Sequence, residues 1–257
     1  MTEKNRAARP SLRIALVASF AALYIVLSLI SPFIPAIGIP EIKIRLEASF
    51  ASLFGFVLGP YLGASAAFIG TLGATMLHGA TLFDLIFIFN PTFNALIVGF
   101  ILRKKWKVAF AMLALTVLAF WLSPICAPLS EYWYVGLVAN FDKILALLLI
   151  IPINIILNLR KKDESRHEVS ASLSFLLIFL LTFVGNQADA ALGNDIFAMP
   201  TVYEGLFSLP LDVTRWLFTV SPFIYPVIRI IQAFVAASLG LPLMRALKRL
   251  KIYDAVL

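Results

Sequence analysis

The stretch FVLGPYLGASAAFIGTLGA, residues 56–74, places a Gly-Pro break between two apolar runs with no polar linker around it. Glycine adopts backbone conformations that other residues avoid, and proline suits the first turn of a helix. We therefore expect Gly59 and Pro60 to turn one apolar helix directly into the next. Backbone that turns without water must be buried in protein or lie at an interface, so the predicted hairpin is tight. Three further glycines in the stretch would let neighbouring helices pack closely beside the second helix of this hairpin.

The composition of the whole chain agrees with a membrane location. Of its 257 residues, 61% are hydrophobic and 14% are charged, and the mean hydropathy is +0.95. An ordinary soluble domain has about 45–50% apolar and about 25% charged residues. The apolar runs also approach the roughly 20 residues that cross a hydrocarbon core. The sequence therefore predicts an all-α integral membrane protein, a polytopic transmembrane helix bundle that forms a single domain over residues 1–257.

Eight spans follow from the apolar runs and the breaks between them. Their approximate bounds are 12–35, 46–58, 61–78, 82–102, 107–123, 135–159, 171–192 and 219–244. The second span is short for a full crossing, so a tilted or internally packed helix is expected there. Pro222 and Pro226 break the helical register at the start of the last span. The basic first residues followed by an apolar run superficially suggest a signal peptide, but the run lacks a convincing cleavage site, and we interpret it as a retained first helix.

The basic residues divide the loops into two classes. Four groups of four, 16 of the 21 Lys and Arg residues, fall on one side when the N-terminus is cytoplasmic. They are Lys4, Arg6, Arg9 and Arg13; Arg103, Lys104, Lys105 and Lys107; Arg160, Lys161, Lys162 and Arg166; and Arg245, Lys248, Arg249 and Lys251. The other side holds mainly acids, which are Glu41, Glu47, Glu131, Asp195, Glu204 and Asp212, with Lys43 and Arg45 as exceptions. Because Lys and Arg accumulate in cytoplasmic loops, we predict an even number of spans and two cytoplasmic termini in a multi-pass protein of the cell (plasma) membrane.

The sequence has no pattern that indicates catalysis. It lacks the Gly-x-Ser-x-Gly, His-Glu-x-x-His and Gly-x-x-x-x-Gly-Lys-Ser/Thr motifs. His78 and His167 have no second His or Cys at ligand spacing, and the single Cys126 cannot form an intrachain disulfide. We predict no enzyme activity, no cofactor, no metal site and, since the charges flank the spans, no nucleic acid partner. The hydrophilic stretch 160–170 is the predicted linker between the first six spans and the last two.

Polar side chains at membrane depth are costly unless they pair or line a cavity. Asn90 and Asn94 share one face of the fourth span, and Asn186 and Asp189 share one face of the seventh. The predicted contacts for a small polar or amphiphilic ligand are Asn90, Asn94, Asn140, Asn186, Asp189, Asn194 and Arg229. Two structural alternatives stand beside this prediction. They are a capping and interhelical hydrogen-bond network around 184–197, and an Asp142 carboxylate that simply pairs with Lys143 or Arg215.

The first span carries small residues at helical spacing. Ala18 and Ala22 form one small-xxx-small pair, and Ala15 and Ser19 form a second on an adjoining strip. Such spacing lets another helix approach closely, so van der Waals contact becomes extensive. The pattern fits either a partner interface at Ala15, Ala18 and Ala22 or packing within the bundle.

Three segments together resemble the substrate-binding S components of energy-coupling factor (ECF) transporters, which take up vitamins and related trace compounds. The segments are LVASFAALYIVLS (16–28), IPEIKIRLEASFASLFGFVLGPYLGASAAFIG (39–70), and GNQADAALGNDIF (185–197) followed by YPVIRIIQAFVAASLGLPLMRAL (225–247). The resemblance implies that the small face of the first helix contacts a transmembrane coupling subunit, which a pair of cytoplasmic ATPases drives. It also implies that the loop 36–47, with Glu41, Lys43 and Arg45, closes over a bound substrate. Many family members have six spans, whereas eight are predicted here.

Two other functions fit the same residues. A self-sufficient secondary transporter would couple uptake to protons or sodium through Asp142 or Asp189. A membrane scaffold would not transport and would use its small-residue faces to hold partner helices. Uptake that survives ATP depletion would favour the first alternative, and capture of partners without any retained small molecule would favour the second.

Overall fold

The computed structural model describes residues 4–162 and 171–249, with side chains placed for 10–159 and 174–247. The part of the predicted linker from position 163 onward, which includes Arg166 and His167, therefore lies outside the described residues. Lys251 also lies outside them. The side chains of Lys4, Arg6, Arg9, Arg160, Lys161, Lys162, Lys248 and Arg249 also lie outside the described set. The predicted charge asymmetry is thus visible in structure only in part.

Eleven α-helices and one two-stranded hairpin form the described part of the chain. The helices are α1 (Lys4–Ile30), α2 (Ala51–Leu58), α3 (Pro60–Leu77), α4 (Leu82–Leu85), α5 (Asn90–Leu102), α6 (Trp106–Trp121), α7 (Leu129–Lys162), α8 (Ala171–Phe197), α9 (Pro200–Tyr203), α10 (Leu211–Val220) and α11 (Tyr225–Arg249). The strands are β1 (Phe33–Ala36) and β2 (Ile39–Arg45), and single 3-10 turns cover Leu46–Phe50, Pro124–Cys126 and Ser221–Phe223.

Five segments of the described chain are long and apolar enough to cross a membrane. They are Pro10–Ile30, Leu82–Leu102, Leu129–Leu159, Ser174–Phe197 and Tyr225–Leu247, and two shorter apolar segments are Leu46–Leu58 and Trp106–Trp121. These lengths and the dominance of helix confirm the predicted helical membrane protein. The apolar side chains on the outside of the long helices, such as Leu148, Ile155 and Phe234, are exposed, as expected for a surface that meets lipid tails.

The Gly-Pro break is the hairpin that the sequence predicts. α2 ends at Leu58 and α3 begins at Pro60, so Gly59 alone connects them, with a φ of 78°. That positive φ is open to glycine and strained for residues with a side chain. Leu58 and Pro60 are both buried. A Cβ added at Gly59 would lie 2.9 Å from the Arg103 guanidinium, so this turn and the loop between α5 and α6 share one end of the bundle.

The predicted bounds of the first and last spans are wrong, and the fourth span, whose bounds agree with the apolar segment Leu82–Leu102, is interrupted. The first helix ends at Ile30 rather than at residue 35, because a residue that precedes a proline, here Ser31 before Pro32, is pushed out of the helical region. The fourth span is not continuous: turns over residues 86–89 separate α4 from α5, and a proline occupies the first turn of α5. The last span begins at Tyr225, and the residues before it form the separate helix α10 and a 3-10 turn.

The core is built around α5 and α8. α5 packs against α2, α3, α6 and α8, and α8 packs against α7 and α11 as well. Glycines allow the closest of these contacts: a Cβ added at Gly63 of α3 would lie 2.6 Å from the Phe54 carbonyl oxygen of α2, and one at Gly70 would lie 2.7 Å from Cβ of Tyr24 on α1. The two halves of the predicted hairpin and α1 therefore form one tightly packed layer.

Residues 33–45 form an antiparallel hairpin rather than an irregular loop. Phe33 pairs with Arg45, Ile34 with Ile44 and Pro35 with Lys43. The hairpin covers one end of the bundle, where Ile39 packs in a cluster with Phe218 and other residues of α7 to α10. This end holds the cavity described next.

Candidate functional site

A cavity of about 220 Å³ lies between the hairpin and helices α1, α3, α4, α5, α7, α8, α10 and α11. Its charged lining residues are Lys43, Arg45, Asp84, Asp142, Lys143, Asp189 and Arg229. Its neutral polar lining residues include Thr71, Thr75, Asn90, Asn194 and Ser221. Its aromatic lining residues are Tyr24, Phe83, Phe87, Phe197, Phe218 and Tyr225. Cavities that bind small molecules have this composition, with apolar walls and a few convergent polar groups.

One ion pair joins α8 to α11 at the cavity wall. Arg229 Nη2 lies 3.2 Å from Asp189 Oδ1, and the two side chains are 11% and 7% exposed. The Arg229 guanidinium also donates to the Gln232 side-chain oxygen over 3.0 Å. Because residues three apart on a helix are neighbours on one face, α11 presents Arg229 and Gln232 together. The pair satisfies two charges that neither helix could hold alone at this depth.

A second ion pair lies within α7. Lys143 Nζ is 2.9 Å from Asp142 Oδ1, and both side chains are 5% exposed. Lys143 also donates to the Ala139 carbonyl oxygen over 3.0 Å. Of the two partners expected for Asp142, the structure therefore places Lys143 beside it. Arg215 instead donates to the Ile125 and Ala127 carbonyl oxygens and stacks on Tyr132, with 3.6 Å between the guanidinium carbon and the ring centroid.

Two hydrogen bonds join the hairpin to α11. The Tyr225 hydroxyl oxygen accepts from the Ile37 amide over 3.0 Å, and the Gln232 side-chain amide donates to the Arg45 carbonyl oxygen over 2.9 Å. Gln232 accepts from Arg229 at the same time. A continuous path of polar contacts thus runs from Asp189 through Arg229 and Gln232 to the end of β2.

The hairpin contributes two cations to the lining. Arg45 Nη1 is 3.9 Å from the nearer Glu47 carboxylate oxygen. Among the side chains that the structure describes, Lys43 has no carboxylate within 4.0 Å, and its ammonium lies 5.1 Å from the centroid of the Phe33 ring. Of the three charged residues predicted to act as a gating loop, Lys43 and Arg45 line the cavity and Glu41 does not.

The structure brings four of the seven predicted ligand contacts to the cavity and places three elsewhere. Asn90, Asp189, Asn194 and Arg229 line it. Asn94 and Asn186 are buried between α2, α5 and α8, where Asn94 Oδ1 accepts from Ser52 over 2.6 Å and Asn94 Nδ2 donates to Asn186 over 3.2 Å. The buried Asn140 donates to the Gly136 carbonyl oxygen one turn before it. Asn94 and Asn186 thus join helices α2, α5 and α8, as an interhelical network would, whereas the Asn140 bond lies within α7.

Several lining residues were not among the predicted contacts. Tyr24 and Tyr225 lie in apolar helices, where an aromatic residue gives no signal that separates lining from lipid contact. The sequence indicates Lys143 only as a partner for Asp142. The sequence signal that could have found it is the adjacent acid and base inside an apolar span, because such charges are rare at that depth and mark functional cavities.

The predicted partner face of α1 is exposed in the part of the chain that the structure describes. Ala15, Ala18 and Ala22 are exposed, while the neighbouring Ala21 is 3% exposed and packs inward.

Cys126 lies buried in the loop between α6 and α7, and burial raises the pKa of its thiol. Among residues 4–162 and 171–249, no group of three or more His, Cys, Asp and Glu side chains is arranged to hold a metal ion.

In comparisons with protein families, with curated proteins and with solved structures, nothing matches this chain.

Proposed function

We propose that this chain is the membrane-embedded substrate-binding subunit of an ECF-type uptake system for a vitamin or a similar small molecule. The observation that carries the proposal is the cavity, which combines buried ion pairs, aromatic walls and a hairpin roof at one end of a helix bundle. A bundle that only filled its interior would be expected to replace such ion pairs with apolar residues at little cost in stability.

The proposed direction of transport follows from the distribution of Lys and Arg residues among the loops. In the proposed topology, eight segments cross or enter the membrane, both termini are cytoplasmic, and the cavity opens toward the outside of the plasma membrane. The loop with Arg103, Lys104 and Lys105 shares an end with the Gly59 turn, and this end would face the cytoplasm by the positive-inside rule. The hairpin 33–45 lies over the cavity and would open and close above the substrate.

Energy would come from separate subunits. In this proposal a transmembrane coupling subunit, driven by two ATPases, packs on Ala15, Ala18 and Ala22, which are exposed on α1. Replacing Ala18 and Ala22 together with leucine should abolish co-purification with that subunit while ligand binding is unchanged. The matched control is the Ala111→Leu and Ala119→Leu pair, since these alanines are exposed on α6. Normal assembly of the α1 variant would overturn the interface assignment.

An ion-coupled secondary transporter is the second proposal, and the buried pairs at Asp142 and Asp189 favour it, because such pairs form proton and sodium relays in transporters. The two proposals differ in their energy source. Uptake of the molecule that co-purifies with the chain should stop when cellular ATP is depleted and continue when ionophores collapse the ion gradients. The reverse pattern would contradict the ECF proposal and support the secondary transporter.

A further inference from the structure

We propose that the cavity selects a small organic anion with an aromatic or other planar ring. The inference deepens the proposed function and rests on it, since it assumes that the cavity is the substrate site. It follows from the balance of charge in the lining, from the position of the unbalanced cations and from the aromatic walls.

The lining contains four cations and three carboxylates. The cations are Lys43, Arg45, Lys143 and Arg229, and the carboxylates are Asp84, Asp142 and Asp189. A cleft with a surplus of one sign attracts ligands of the opposite sign. The surplus here is positive.

Two of the three carboxylates already have a cationic partner inside the protein, and Asp84 has none within 4.0 Å among the described side chains. Asp142 pairs with Lys143 at 2.9 Å and Asp189 with Arg229 at 3.2 Å. Asp84 accepts a hydrogen bond of 2.6 Å from the Thr81 hydroxyl. A cationic ligand at either Asp142 or Asp189 would have to displace Lys143 or Arg229, and leaving a buried charge without its partner is costly.

The two lining cations outside the Asp142 and Asp189 ion pairs both lie on the roof. Lys43 has no carboxylate within 4.0 Å among the described side chains. Arg45 is 3.9 Å from Glu47, and Arg45 lines the main cavity whereas Glu47 lines only a separate cavity of about 30 Å³ that Arg45 also borders. Residues two apart on a strand point to the same side, so β2 presents both cations together. A ligand carboxylate below the hairpin would gain two charge-assisted contacts there.

The walls favour a planar ring. Six aromatic residues line the cavity, among them Phe83, Phe87, Phe197 and Phe218. The Phe197 and Phe218 rings meet edge to face with 5.8 Å between their centroids. Aromatic rings interact with one another in such offset and edge-to-face arrangements beyond simple area burial. A ligand with an anionic group under the roof and a ring among these side chains would contact both the cationic roof and the aromatic walls.

The test uses three probes that share one ring and differ in charge: indole-3-acetate, indole-3-acetamide and tryptamine. Binding of each to the purified full-length protein is measured by calorimetry. Indole-3-acetate should bind at least about tenfold more tightly than the other two, since each contact to a charged group contributes about that much. Equal or tighter binding of the amide or the amine would overturn the proposal.

Substitutions of the roof cations test where the carboxylate of indole-3-acetate binds. Lys43→Gln together with Arg45→Gln should weaken indole-3-acetate binding at least about tenfold and leave indole-3-acetamide within about twofold. Lys105→Gln, which removes an exposed cation far from the roof, should change neither. If the roof variant weakens all three probes alike, the cations have only a structural role and the proposal fails.

If none of the three indoles binds, the identity of the molecule that co-purifies with the protein tests the proposed ligand class. A retained small-molecule anion with a planar ring supports the proposal. A retained cation or neutral compound overturns the proposal, while the proposed function stands. Retention of an anionic phospholipid alone also overturns the proposal, because a phospholipid has the negative charge of the proposed ligand but no planar ring. If nothing is retained, the proposed function itself falls.

Discussion

Asp189 and Arg229 show at the residue scale how a charge is held within this bundle. Each side chain is nearly buried, and each is compensated by the other across the contact between α8 and α11. Removing one member leaves the other charge buried without a partner, which costs far more than the intact pair contributes. The pair is therefore a sensitive point for both stability and the cavity.

Replacing Arg229 with glutamine should lower the free energy of unfolding by about 3–5 kcal/mol, because Asp189 then keeps a buried charge without its cation. Thermal unfolding of the purified protein in detergent would show this as a lower midpoint. The double variant Asp189→Asn and Arg229→Gln should recover most of the loss, and Arg13→Gln at an exposed position should have no effect. An unchanged midpoint for Arg229→Gln would show that the pair does not form.

At this scale the sequence separates polar residues that need a partner from apolar ones, but it does not say which partner they find. Asn90 and Asn94 share one helix face, yet Asn90 lines the cavity and Asn94 binds Ser52 and Asn186. The difference arises from which helix packs beside each residue, and that is a long-range property. Helical spacing alone carries no such information.

At the scale of elements, the Gly-Pro break and the hairpin over the cavity give opposite lessons. Gly59 and Pro60 could be read from sequence because their backbone preferences are local. The resemblance implies a loop at these residues rather than strands, although IPEIKIR alternates apolar and polar residues from Glu41 onward, which is the period of a strand. A hairpin of this size is stable only through the helices beneath it, so its residues alone gave a weak signal.

Gly63 tests the close packing of the α2–α3 hairpin. Gly63→Ala should destabilise the protein by about 1–3 kcal/mol, because the added Cβ would meet backbone atoms of Phe54 and Gly55 that cannot move aside. Gly73→Ala on the same helix should be nearly neutral, since its added Cβ would meet only the flexible end of Ile25. Chemical unfolding of both variants gives the comparison. Equal losses would contradict the predicted difference in packing.

Tyr225 tests how firmly the hairpin is held on α11. Tyr225→Phe removes the acceptor of the Ile37 amide, and a hydrogen bond of this kind contributes about 0.5–1.5 kcal/mol. Hydrogen exchange of the hairpin amides should accelerate about two- to tenfold, with helices α3 and α5 unchanged. Tyr61→Phe, at a tyrosine that is 66% exposed, is the matched control. Unchanged exchange at Ile37 would show that the hydroxyl does not restrain the hairpin.

At the scale of the whole molecule, composition is enough to predict a helical membrane protein, and the long apolar segments confirm it. The cavity could not be predicted in shape, because its lining comes from a hairpin and eight helices that are distant in sequence. Its charges could be predicted in part, since acids and bases at membrane depth are conspicuous. The central claim is that this cavity holds a small molecule.

Mass spectrometry of the purified protein tests that claim most directly. Wild-type protein from its native membrane should release a small molecule in a stoichiometric amount on denaturation. Ala190→Trp, which places a large side chain in the cavity lining, should release little or none, and Ala111→Trp on the exposed face of α6 should behave as the wild type. A wild-type protein that releases nothing, or an Ala190→Trp variant that releases as much as the wild type, would contradict the account.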